Sequence, residues 1–182
     1  MRFLVMFSGR PYVLLDGENW QTFFDSFRRE AFRLETLPVY TMPGEQKDFA
    51  RFRQDGTLLM PDDDPWLVRV RNFRETGRWI GRVHVLTRPL SDYLKYEMAF
   101  YAYSNNAGED VRILDLTDRD DPGLPNQDFW FFDEETVVQM NYRSDGTQIS
   151  RELLDSPDLR RYRQWKELAL SLAVPFKEYI AA

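Results

Sequence analysis

The sequence predicts a single α/β or α+β domain with a mixed or mostly antiparallel sheet flanked by about three helices. Three observations lead there. The chain has 182 residues, 43% of them hydrophobic and 15% aromatic, enough for one domain to bury about 70% of its unfolded surface. Three stretches repeat apolar residues at helical spacing. Between them, short β-branched and aromatic runs alternate or stand between turn residues.

Each element has its own signal. Residues 1–15 are apolar but interrupted by Gly9 and Pro11, and are expected to be an N-terminal extension or an edge strand. The domain proper is placed at 16–182. Asp16 to Glu35 reads as the first helix, with Trp20, Phe23, Phe24, Phe27, Ala31 and Leu34 on one stripe. Pro38 and Pro43 break that pattern. Glu45 to Arg53 reads as a short helix presenting Phe49 and Phe52. Pro61-Asp62-Asp63-Asp64-Pro65 reads as a loop.

Trp66–Arg71 and Trp79–Leu86 are expected to form a hairpin turning at Glu75-Thr76-Gly77. Ser91 is a good N-cap for a helix to about Asn105, with Asp92 favourable in its first turn and Gly108 as a stop. Val111–Leu114 is a short strand, followed by an acidic loop over 115–128. Phe129–Phe132 and Thr136–Tyr142 form a second hairpin around Asp133-Glu134-Glu135, and Ser144-Asp145-Gly146 is a further turn. The last helix is expected over 157–173, with Ser156 as cap and Pro157 at its first position.

Charge is unevenly distributed along the chain. Six arginines (Arg69, Arg71, Arg74, Arg78, Arg82, Arg88) and one acid lie between Trp66 and Leu90, whereas ten acids and two arginines lie between Glu109 and Glu135. The net charge of −6 and pI of about 4.9 argue against direct nucleic-acid binding, which calls for a basic footprint. With no cysteine, disulfides, thiolate metal sites and cysteine nucleophiles are excluded. That composition is compatible with the cytoplasm. Neither a signal peptide nor a membrane span is expected.

Catalytic chemistry has little to stand on. His84 is the lone histidine, so a two-histidine dyad or a multi-histidine metal site is excluded, and it reads as a polar-face strand residue. The Asp62–Asp64 run lacks the ligand spacing and turn glycine of a calcium loop. No cofactor or metal is expected. Glu97, mid-helix among tyrosines, is either a buried base with a raised pKa or a partner for a nearby arginine. Arg69, Arg71 and Arg82 are candidates to grip phosphate or carboxylate through their forked guanidinium groups. The alternative is that the acidic second half neutralises them.

Four segments carry a family resemblance: Phe27–Leu34 (FRREAFRL), Arg88–Glu97 (RPLSDYLKYE), Gly108–Leu114 (GEDVRIL) and Asp128–Asp133 (DFWFFD), together with Tyr142–Gly146. In combination they resemble an uncharacterised actinobacterial family, domain of unknown function 6879. A more distant resemblance is to half of a phospholipase-D-like domain, with Asp128-Phe129-Trp130 where that superfamily carries His-x-Lys. The histidine and lysine needed for that chemistry are absent. Members of family 6879 are often encoded beside helix-turn-helix regulators and small companion proteins. The resemblance therefore implies a non-enzymatic regulatory or interaction protein in the cytoplasm, partnered by such a regulator or companion. Arg69, Arg71, Arg82 and Trp130 are its candidate contact residues. The alternative is a sensor or enzyme for a small phosphate or carboxylate, using the arginines with His84 or Glu97.

Overall fold

A computed structural model describes residues 4–7 and 10–182, with side chains from Val13 onward. The elements are β1 (Leu4–Phe7), β2 (Arg10–Leu14), α1 (Gly17–Asp25), β3 (Glu30–Glu35), α2 (Gln46–Asp55), α3 (Pro65–Glu75), β4 (Trp79–Leu86), α4 (Asp92–Ala107), β5 (Asp110–Asp115), β6 (Asp128–Phe132), β7 (Thr136–Tyr142), β8 (Gln148–Leu154), α5 (Leu159–Leu172), β9 (Val174–Pro175) and α6 (Phe176–Ala181). The described strands form one mixed sheet in the order β1-β2-β8-β7-β6-β3-β4-β5-β9. β4 runs parallel to β3 and β5, because helical crossovers connect each pair; the other pairings are antiparallel. The α+β class read from the sequence is the observed one, with six helices rather than about three among the described residues. The expectation of an extension or edge strand over 1–15 falls partly outside the described residues. Within them, β1 and β2 pair with each other, and β2 joins the sheet through β8.

Strand alternation splits the core into two layers. On one face, Phe32, Leu34, Val83, Phe129, Phe131 and Val137 pack under α5. On the other, Ala31, Ile80, Trp130, Phe132 and Met140 meet Phe24 and Phe27 from the α1 end and Leu67, Val70 and Phe73 from α3.

Two segments differ from expectation, and both differences decide the site. The helix read over 16–35 is a nine-residue helix followed by strand β3. Ala31 and Leu34 share a helical stripe by spacing, yet they lie on opposite faces of a strand buried on both sides. Its apolar residues Ala31, Phe32 and Leu34 fall on both faces, so their pattern fits a helical stripe as well as a strand. The turn before it is pinned by Asp133, whose carboxylate accepts the backbone N–H groups of Arg28, Arg29 and Glu30 at 2.7–3.0 Å. Those bonds, working against the cost of burial, hold the Asp133 carboxyl below its usual range.

The basic hairpin does not form. Residues 65–75 are helix α3, with Pro65 in its first turn and Asp64 accepting from the N–H groups of Trp66 and Leu67 at 3.0 and 3.1 Å. One acid of the Asp62–Asp64 run is therefore a helix cap. Leu67, Val70 and Phe73 are buried at three-residue spacing, whereas Val68 is exposed. Glu75-Thr76-Gly77 ends this helix, with Gly77 at φ +73°. The last helix also starts later than expected, with Asp158 as cap instead of Ser156.

Of the other elements, α2, α4, β5 and the β6–β7 hairpin match the reading, whereas β8, β9 and α6 have no counterpart in it. Ser91 caps α4 by accepting the N–H of Leu94 at 3.0 Å. Gly108 follows that helix at φ +125°, a conformation L side chains rarely adopt. β5, the β6–β7 hairpin and the turn at 144–146 stand where expected.

Candidate ligand-binding site

The helix-covered face of the sheet is apolar at one end and charged at the other. Alternation along β3 places Arg33 and Glu35 on the face of Ala31, and β4 places Arg82 and His84 beside them in register. β6 contributes Asp128 and Trp130, β7 contributes Met140 and Tyr142, and β8 contributes Arg151 opposite Met140. Helix α4 lays Tyr93, Glu97 and Tyr101 over this row. Between them is a cavity of about 290 Å³, walled by Trp20, Phe24, Trp66, Phe100 and Trp130 and lined at its polar end by Arg33, Glu35, Arg82, Glu97, Tyr142 and Arg151.

The charges are almost fully interlocked. Arg33 donates to Asp128 at 2.9 Å, Tyr142 at 3.1 Å and Glu35 at 3.3 Å. Arg82 donates to Glu109 at 2.6 Å and Glu35 at 3.1 Å. Asp128 also accepts from the N–H and hydroxyl of Thr36 and from the Tyr40 hydroxyl. Glu109 accepts from the Trp66 indole and the Ser104 hydroxyl. Both nitrogens of His84 are committed, Nδ1 to the Tyr101 hydroxyl at 2.7 Å and Nε2 to the Leu37 carbonyl at 3.1 Å. Tyr101 in turn donates to Glu35 at 3.0 Å.

Burying ions is costly unless each is paired and hydrogen-bonded. Arg33 is 3% exposed, Arg82 8%, Glu35 7% and Glu97 6%, and His84 is fully buried. Among the described residues, two buried side-chain donors lack a protein partner: Arg33 Nη1 and Arg151 Nε. Both arginines line the cavity. Burial, reinforced by the charge of Arg33, lowers the pKa of Arg151, with Tyr142 and Asp16 opposing. Like charges thus meet at this end of the cavity.

The carboxylates titrate in opposite directions. Burial opposes ionisation of Glu35, but Arg82 and Arg33 outweigh it and bring that carboxyl down to about 2. Burial and the charges of Glu35 and Glu45 push Glu97 up to about 7, with Arg82 and His84 opposing. Burial likewise raises Glu45. The Tyr93 hydroxyl lies 2.9 Å from Glu45 and 3.1 Å from Glu97.

Of the residues singled out from the sequence, Arg82, His84, Glu97 and Trp130 come together here. Arg69 stands at the cavity wall, paired with Asp25 at 2.9 Å and lying over the Phe24 ring. Arg71 points elsewhere and donates to the backbone carbonyl of Asp62. The expected shared surface of Arg69, Arg71 and Arg82 is therefore absent, because two are on a helix and one on a buried strand. Neutralisation comes partly from the second half of the chain, through Glu109 and Asp115, and partly from Glu35 and Asp25. Glu97 accepts from the Tyr93 hydroxyl at 3.1 Å rather than from an arginine.

Sequence reasoning missed Arg33, Glu35, Glu45, Tyr93, Tyr142 and Arg151. A signal for the first two existed: in Glu30–Glu35 (EAFRLE) the charged residues alternate with Phe32 and Leu34 once the segment is read as a strand. Glu35, His84 and Glu97 place ligand-type atoms within 4.8 Å of one another. A cation there would have to compete with Arg82 for Glu35 and free His84 from both partners, so the set reads as a hydrogen-bond network.

Asp128 and Asp133, which bound the DFWFFD segment, hold the two ends of β3: one fastens Arg33 and Thr36, the other the turn before Glu30. The FRREAFRL segment supplies Arg33, RPLSDYLKYE supplies Tyr93 and Glu97, and GEDVRIL supplies Glu109. No curated protein matches the chain. Residues 18–181 match the family model described as Domain of unknown function (DUF6879), and with that match spanning most of its length the chain belongs to this family.

Proposed function

We propose that this domain is a non-enzymatic sensor that binds a small anionic molecule with an apolar, ring-like body in the cavity on the charged face of its sheet. One observation carries the reading: Arg33 Nη1 and Arg151 Nε are buried guanidinium donors without partners, and both arginines line one cavity. Leaving a buried donor unmet costs about 1–3 kcal/mol, more for a charged group. An anion there would satisfy both and relieve the repulsion between the two guanidinium groups. Indole and phenyl walls suit a ring. A binding role fits better than a catalytic one because Glu35 is ion-paired and both His84 nitrogens are engaged. In this reading, a helix-turn-helix regulator or small companion protein would sense occupancy; that partnership rests on the family resemblance.

The test is thermal unfolding with inorganic phosphate and with indole-3-propionate, using tryptamine as the cationic control. The expected result is a higher midpoint with at least one anion, none with tryptamine, and loss of the shift in Arg151→Met. Arg151 is only half-buried, so this variant should fold. No shift with either anion, or an equal shift with tryptamine, overturns the proposal.

A further inference from the structure

Elsewhere in the lining of the same cavity, donors and acceptors are out of balance in the other direction. The Tyr93 hydroxyl has one proton, yet it lies within hydrogen-bond distance of both Glu45 Oε2 at 2.9 Å and Glu97 Oε1 at 3.1 Å. It can donate to only one of them. The other carboxyl must hold a proton of its own or receive one from elsewhere. Glu45 and Glu97 line the same cavity as Arg33 and Arg151. One part of the lining thus holds buried N–H groups without acceptors, and another holds two carboxyl groups that share the single Tyr93 hydroxyl proton.

Glu35 links the two groups: it accepts from Arg33 Nε at 3.3 Å, and one of its oxygens is within 4.8 Å of a Glu97 oxygen. The volume of about 290 Å³ suits a single six-membered ring with its substituents.

We infer that the ligand is a zwitterion: an acidic group held by Arg33 and Arg151, a ring between the indoles, and a primary amine donating to Glu45 and Glu97. This deepens the anion-sensor reading and rests on it. An ammonium group has three donors and no acceptor. It would thus serve both carboxylates while leaving the Tyr93 proton in place. The displacement of Glu97 upward, caused first by burial and then by Glu35 and Glu45, agrees with a position short of positive charge.

Isothermal titration with three probes decides the matter: 4-(aminomethyl)benzoate, which has acid and amine at opposite ends of one ring; 4-methylbenzoate, which lacks the amine; and benzylamine, which lacks the acid. The wild-type chain is expected to bind the first at least tenfold more tightly than either of the others. Glu97→Gln, which keeps the side-chain shape, should bring 4-(aminomethyl)benzoate down to the affinity of 4-methylbenzoate. Arg151→Met should weaken both acids and leave benzylamine unchanged. If the two acids bind equally well, the zwitterion inference fails and the anion sensor stands. If neither acid binds, both fail.

Discussion

The two faces of the central sheet are built from alternate residues of the same strands, yet they obey different rules. Under α5, Phe32, Leu34, Val83, Phe129, Phe131 and Val137 form a dry apolar layer. One residue away along each strand, Arg33, Glu35, Arg82 and Trp130 line a charged cavity. The first face is what hydrophobic burial produces without further demands. The second is not the cheapest way to fill the space, since buried ion pairs are often no better than apolar residues of similar volume. A charged network beside an otherwise satisfactory core therefore directs attention to binding.

Four substitutions would break or sharpen this contrast. The largest effect is expected from Arg33→Ala, which leaves Asp128 and Glu35 without their shared guanidinium: a loss of about 5 kcal/mol, the upper range for an orphaned buried charge, read by denaturant unfolding. Phe131→Ala on the apolar face should cost about 4 kcal/mol through lost transfer energy and a cavity. In the remaining folded protein it should leave anion binding unchanged, and a loss of binding there would mean the two faces are coupled.

Glu97→Gln comes third and has a pH signature. The groups facing Glu97 are Glu35, Glu45, Arg82, His84, Tyr93 and Tyr101. Its folded pKa is raised from 4.5 to about 7, so the native state holds that proton more tightly than the unfolded chain. The resulting stability is present below about pH 4.5 and is lost as pH rises through about 7. The amide mimics the protonated acid, so the variant should match the wild type near pH 4. At pH 8 it should be more stable by at most about 3 kcal/mol. A parallel offset at both pH values would contradict the raised carboxyl. Arg69→Ala is expected to have the smallest effect: its pair with Asp25 is half-exposed, and such pairs contribute about 0.2–1 kcal/mol. A loss several times larger would place Arg69 in the buried network instead.

Short-range features were legible because their causes are local. Ser91 and Gly108 bound α4 through cap geometry that depends on a few neighbouring residues. The β6–β7 hairpin follows from two β-rich runs separated by a short turn. Composition alone excluded thiol chemistry and multi-histidine sites. Four of the six singled-out residues, Arg69, Arg82, Glu97 and Trp130, line one cavity, and His84 lies beside it against Glu35 and Glu97, although the chain showed only that each was an unusual polar or aromatic residue in its element. What required the tertiary structure were β3 and α3. In β3 the apolar residues Ala31, Phe32 and Leu34 serve both faces, so Ala31 and Leu34 fit a helical stripe equally well, and only parallel pairing with β4 and antiparallel pairing with β6 decides for the strand. Arg69 and Arg82 looked alike in the sequence, yet one lies at a cavity wall and the other in the interior. Their difference comes from long-range pairing and desolvation, which depend on residues distant along the chain.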